Sequence, residues 1–269
     1  MARQSQRVRI PTDDGLSLSG ILEIPDKERL GTILFSHCFT CSKDLKSIVR
    51  ISRELASRGW IVLRYDFRGL GNSEGTFSQS NFTTNRMDLK AACRFLDSEY
   101  DGANYLLGHS FGGAASLAAA DDIESVLGVI ALAAPSDTYH LADLLEKMSP
   151  EIKTQGYGLV TIGGFQYAIE RQMVDDFRAY DLADRVRRLG KPLLTLHSPT
   201  DETVAFEHAL RNCDYANARA HAHASRSLVS LPGCNHLLTE ESHCRLVSWI
   251  IHGWCRGIAD ESLESRSHG

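Results

Sequence analysis

The chain has 269 residues, 43% of them hydrophobic, and 29 basic against 34 acidic side chains give a formal net charge of −5. That length suits one α/β domain with a sizeable core, and the acidic balance removes the electrostatic reason to expect a nucleic acid or an anionic membrane as partner. No stretch approaches the ~20 apolar residues that span a bilayer, and the basic start at Arg3 and Arg7 leads into no apolar run of signal-peptide length, so the expectation is a cytoplasmic protein without membrane insertion.

In chain order, residues 7–11 and 16–24 alternate polar and apolar and flank the turn Thr12-Asp13-Asp14-Gly15, which predicts an N-terminal hairpin. Strands and helices then alternate: strand 32–36, helix 46–58, strand 61–65, helix 85–98, strand 105–107, helix 111–120 and strand 127–133. Strict alternation points to a mainly parallel sheet with helices on both faces. Residues 136–190 interrupt it. About 55 residues are too many for a plain connection, so they are expected to form a small cap, with helices at 141–148 and 169–177 and an extended piece at 157–165. Tyr157, Phe165, Tyr167 and Phe177 are candidates for lining a pocket under it, with packing inside the cap as the rival role. Strands at 192–197 and 227–231 and a helix at 241–254 follow. Residues 257–269 are rich in Ser, Glu and Asp without apolar periodicity and are expected to be a flexible tail after a single domain spanning 1–256.

Chemistry concentrates at three strand ends. Gly108-His109-Ser110-Phe111-Gly112 is a G-x-S-x-G pattern between a strand and a small-residue helix, the turn that projects a nucleophilic serine. A serine needs a base to take its proton and a carboxylate to orient that base. Asp201 follows the strand ending at His197, and His236 follows the strand ending at Leu231, in the chain order Ser, acid, His that such a site uses. Asp137 is the rival acid; His243 and His252, inside the last helix pattern, are the rival bases. The N–H groups of Phe111 and of Phe39, on the loop after strand 32–36, are the candidate oxyanion donors.

These motifs resemble the α/β-hydrolase superfamily over residues 5–256. The loop His37-Cys38-Phe39-Thr40 is similar to the family's His-Gly-Phe-Thr type, with Cys38 in place of glycine. The run from Tyr65 to Gly75 resembles the lysophospholipase and cinnamoyl-esterase-like branch. The runs 38–44, 133–137 and 197–201 resemble the hydrolase domains found fused to OsmC-type domains. The resemblance implies an α/β-hydrolase fold with an eight-stranded sheet, and a serine esterase that cleaves short-to-medium or aromatic acyl esters of small molecules without a cofactor. Amide or aminoacyl hydrolysis, or acyl transfer by the same triad, is the alternative.

The seven cysteines are odd in number and scattered, which argues against an extracellular disulfide framework. Cys38-Phe39-Thr40-Cys41 is a C-x-x-C after a strand, which makes a redox protein a rival reading; a Cys38–Cys41 disulfide is expected to distort the oxyanion loop and switch hydrolysis off. His221-Ala222-His223 reads as a helix end with no companion cluster of metal-ligand spacing, so no metal is expected.

Overall fold

The computed structural model describes residues 4–218 and 224–267, so the pair His221 and His223 lies outside the described residues. The chain opens with the antiparallel pair β1 (Gln4–Pro11) and β2 (Ser17–Ile24), then β3 (Gly31–Ser36), α1 (Lys46–Ser57), β4 (Trp60–Tyr65), α2 (Phe82–Tyr100), β5 (Tyr105–His109), α3 (Phe111–Ala119) and β6 (Gly128–Leu132). An insertion follows, with α4 (Tyr139–Met148), α5 (Glu151–Gln155), the hairpin β7 (Tyr157–Ile162) and β8 (Phe165–Glu170), α6 (Arg171–Ala179) and α7 (Leu182–Arg188). The core resumes with β9 (Leu193–His197), α8 (Glu207–Asn217), β10 (Arg226–Ser230) and α9 (Glu241–Ser267).

Eight strands form one sheet in the order β1-β2-β4-β3-β5-β6-β9-β10. β1 and β2 are antiparallel to their neighbours, and every pairing from β4 to β10 is parallel. Parallel strands covered by helices on both faces bury both sets of side chains, and β4, β5, β6 and β9 are buried at every position. Alternate residues separate the two cores. Leu34, Leu106 and Ala131 pack with Leu89, Ala114 and Val186 on one side, and Ile33, Leu107 and Ile130 pack with Ile51, Leu55 and Val247 on the other.

Three stretches differ most from the sequence expectation. The extended piece expected at 157–165 is the hairpin of β7 and β8, which runs to Glu170, so the helix expected from 169 begins at Arg171. The helix expected at 85–98 begins at Phe82, because Asn81 and Thr84 form a reciprocal capping box: Thr84 N–H donates to Asn81 Oδ1 at 2.9 Å and Asn81 N–H to Thr84 Oγ1 at 2.8 Å. The final helix does not end near Trp254 before a tail; it continues to Ser267. Ala259, Glu261, Leu263 and Glu264 are strong helix formers, and their propensity carries the helix past the loss of apolar periodicity. Among the described residues no helix is long and apolar enough to cross a membrane.

A buried ion pair pins the loop after β4 to α2. Arg68 donates to Asp88 Oδ1 through Nε at 2.9 Å and Nη2 at 2.7 Å, and Asp88 is fully buried. Burial pushes the Asp88 carboxyl up while the guanidinium holds it down, and burial prevails. Arg68→Met strands that carboxylate without its partner, so a stability loss of about 3–5 kcal/mol is expected, read from the denaturant midpoint. A loss under about 1 kcal/mol would mean that the neighbouring backbone N–H alone satisfies Asp88.

Candidate active site

Ser110 sits between β5 and α3 with φ 55° and ψ −122°, a conformation that an L-residue adopts only under constraint. Close approach of α3 supplies the constraint: a Cβ on Gly108 would stand against Gly112 O, and one on Gly112 against Ser36 O and His37 O. Both glycines are therefore required by packing between backbones. All nine residues of α3 are buried, and its glycines, alanines and serine bring its N-terminus against the sheet. Phe111 is its first residue, whose N–H has no partner inside the helix.

His236 and Asp201, 35 residues apart in sequence, meet at the carboxyl ends of β9 and β10, where ligand sites gather in open α/β sheets. His236 Nδ1 lies 2.7 Å from Asp201 Oδ2. Asp201 Oδ1 accepts from the N–H groups of Thr203 at 2.8 Å and Val204 at 2.9 Å. Burial raises the Asp201 pKa, but the hydrogen bonds from His236, Val204 and Thr203 outweigh it and hold the carboxyl below its ordinary value of 3.8. An ionised Asp201 fixes the proton of His236 on Nδ1 and leaves Nε2 as the acceptor. Ser110 and Asp201 are each only 8% exposed, so the constellation is sheltered from bulk water.

Two of the rivals are occupied elsewhere, while His243 Nδ1 is buried with no hydrogen-bond partner among the described residues. Asp137 Oδ1 lies 2.8 Å from His140 Nδ1 and also accepts from the His140 N–H. His252 Nδ1 accepts from Trp60 Nε1 at 3.1 Å, at the amino end of β4.

The loop after β3 lies beside Ser110. The Phe39 ring meets Phe111 at 5.5 Å, Phe77 at 5.5 Å and Phe177 at 6.0 Å between centroids. The carbonyls of Cys38, Phe39 and Thr40 are engaged. His37 Nδ1 donates to Cys38 O at 2.8 Å, Thr40 Oγ1 to Phe39 O at 2.7 Å, and Tyr167 Oη to Thr40 O at 3.0 Å. The Phe39 N–H, by contrast, takes no partner among the described residues. Of the aromatic residues expected in the insertion, Phe177 and Tyr167 face this loop, whereas Tyr157 and Phe165 are 48% and 70% exposed.

Sequence reasoning missed the histidines that close the strands. His109, which ends β5, donates Nε2–H to the carbonyl of His236 at 2.7 Å, and the two rings lie 5.0 Å apart. His197, which ends β9, donates Nε2–H to Val204 O at 2.8 Å within the Asp201 turn. Burial, above all, lowers the pKa of both, to about 3 for His109, so each is a neutral donor at physiological pH. His109→Phe keeps a ring of similar size but removes the bond that holds the His236 loop. A fall in kcat of about tenfold with a retained fold is expected from steady-state kinetics; unchanged kcat would make His109 packing alone. Their only sequence signal was position, immediately before Ser110 and Ser198 at the ends of apolar runs.

One grouping corrects the expectation that no metal-ligand cluster exists. Asp137, His140 and His208 each bring one ligand atom within 4.8 Å of the others. Arg211 already supplies the cation there: Nη2 lies 2.9 Å from His208 Nδ1 and 3.8 Å from Asp137 Oδ2. The Ser136 N–H also donates to His208 Nδ1 at 3.1 Å. Two donors face that lone pair, so the donor set suits a clamp between α8 and the loop after β6 rather than a metal ion. Asp137 and His208 come from opposite ends of the insertion's neighbourhood, which is why residue spacing concealed them.

An esterase domain from Rhodothermus marinus is 36% identical, with a TM-score of 0.75, covering 94% of this chain and 98% of that one. The chain belongs to the α/β-hydrolase superfamily. Within this α/β hydrolase, residues 29–158 match the family model described as serine aminopeptidase, S33. Est1E from Butyrivibrio proteoclasticus, solved with ferulic acid bound, shares the fold at TM-score 0.79 and 22% identity, covering 94% of this chain and 99% of that one. Rat mitochondrial palmitoyl-protein thioesterase ABHD10 is 26% identical over 188 residues, 68% of this hydrolase and 62% of ABHD10. Human protein ABHD12B is 26% identical over 210 residues, 74% of this chain and 54% of its own length. The chain thus spans less than two thirds of these curated relatives.

Proposed function

We propose that this α/β hydrolase cleaves carboxylic esters of small molecules, with short-to-medium or aromatic acyl groups, through an acyl-enzyme on Ser110. The observation that carries the reading is the 2.7 Å contact between His236 Nδ1 and Asp201 Oδ2 at the same sheet end as the strained Ser110 turn. His236 Nε2 takes the Ser110 proton as Oγ attacks the carbonyl carbon, while Asp201 holds the ring and stabilises the imidazolium. The N–H groups of Phe39 and Phe111 receive the developing oxyanion. His236 returns the proton to the leaving alcohol, then activates the water that releases the acid.

The insertion serves as a cap in this scheme. Tyr167 and Phe177 reach the Phe39 loop from above, and the aromatic rings of Phe39, Phe77, Phe111 and Phe177 offer an apolar wall for the acyl group. Amide or aminoacyl substrates are the alternative that the S33 match keeps in view. Turnover of p-nitrophenyl esters from acetate to decanoate, a hydroxycinnamate ester and a matched p-nitroanilide separates them. Faster turnover of the ester series with a defined chain-length optimum is expected; preference for the anilide would reverse the assignment.

A further inference from the structure

Cys38 and Cys41 are joined by a disulfide, with Cα atoms 5.4 Å apart. The cross-link spans a turn in which Cys41 N–H donates to Cys38 O at 3.2 Å. Phe39 and Thr40 are its two central residues, and Thr40 has φ 58°. A positive φ at the second central position favours Gly or Asn; a β-branched threonine there adopts it only when the surroundings enforce it. Three constraints enforce it here: the disulfide, the Thr40 Oγ1 bond to Phe39 O, and the Tyr167 Oη bond to Thr40 O. In this turn the carbonyls of Cys38, Phe39 and Thr40 are engaged, while the Phe39 N–H has no partner among the described residues and the Phe39 ring lies on Phe111.

Taking the Phe39 N–H as an oxyanion donor, as proposed above, we propose that the Cys38–Cys41 disulfide positions that donor, so that a dithiol reductant lowers turnover reversibly. Cys41 is half-buried and Cys38 is 4% exposed, which directs attack to the Cys41 sulfur. A reductant thiolate bonds to Cys41 Sγ, the Cys38–Cys41 S–S bond breaks, and Cys38 leaves as thiolate and takes up a proton. The second thiol of the reductant then attacks its own sulfur in the mixed disulfide and releases Cys41 as a thiol. Two electrons pass to the protein, and the reductant leaves as its cyclic disulfide. Without the cross-link, Thr40 relaxes toward negative φ and the Phe39 N–H turns from the position of the oxyanion. Ground-state binding, which uses the aromatic wall, is retained, so the loss falls on kcat.

The test compares the full-length protein as oxidised and after dithiothreitol, with thiol titration to confirm two additional thiols. Ester kcat and KM, the Ki of phenylboronic acid as a tetrahedral mimic, and near-UV circular dichroism are read in both states. On reduction, kcat is expected to fall about tenfold or more with KM within about twofold, and Ki to rise in parallel. Re-oxidation with oxidised glutathione restores all three, and the double variant Cys38→Ala/Cys41→Ala shows the reduced values with or without reductant. Equal or higher turnover in the reduced state overturns the positioning role alone. So does a fall in turnover that follows loss of the near-UV signal while Ki stays constant, because the cross-link then holds the fold rather than the donor. Oxidised wild type that neither turns over ester nor reacts with a fluorophosphonate overturns the hydrolase reading as well.

Discussion

Ser110→Ala is expected to abolish ester turnover, with kcat falling on the order of 10⁶-fold, and to abolish fluorophosphonate labelling. The proposed covalent step has no substitute: His236, oriented by Asp201, has no proton to take and no nucleophile to activate without the hydroxyl. Residual activity on the order of 10³-fold over water is the remainder expected from the oxyanion donors and substrate binding alone. Folding separates cleanly from function at this position. Ser110 Oγ makes no hydrogen bond among the described residues, and alanine meets the same backbone strain at φ 55°. Its Tm should therefore match wild type, so lost activity in a protein of unchanged Tm isolates the nucleophile. Labelling that persists in Ser110→Ala would place the reactive group elsewhere.

Asp201→Asn is expected to lower kcat on the order of 10⁴-fold while KM changes little. The carboxylate has two duties. Oδ1 accepts from the N–H groups of Thr203 and Val204, and Oδ2 faces His236 Nδ1 at 2.7 Å. In the variant the amide oxygen keeps the first duty, because two N–H donors demand an acceptor. The NH₂ group then faces His236 Nδ1, which must become the acceptor, and the ring proton moves to Nε2. Nε2 is the atom that has to take the Ser110 proton, so the base is disabled by the wrong tautomer while the turn stays intact. The folded pKa of Asp201 is depressed, so its contribution to stability is present above about 3.8 and is lost as pH falls through the lower folded value. Asp201→Asn should flatten that part of the acid unfolding profile. Activity within tenfold of wild type would reduce Asp201 to a cap on the turn that holds residues 203 and 204.

The fold was legible because its signals are local and periodic. Apolar runs bounded by turns marked β3, β4, β5, β6 and β9, and the alternation with helices set the parallel order. The start of α2 was missed because the capping box uses Asn81 and Thr84, residues that read as loop without their partners in view. The end of α9 was missed because helix propensity persisted after the apolar stripe had stopped.

For the site, sequence alone determined the strained turn at Ser110, the candidate nucleophile, and the chain order of its candidate partners. Gly108 and Gly112 are consequences of one short segment, where a strand must turn into a helix within one residue. Tertiary structure alone decided which carboxylate reaches His236, that Asp137 turns instead to His140, and that Arg211 fills the cluster with His208. It also decided that His109 and His197 brace loops from strand ends, and that Cys38 and Cys41 close a turn. The physical reason is range. Turn chemistry and periodicity act over a few residues, whereas a hydrogen bond or a disulfide depends on distances of a few ångströms that only the packed sheet sets.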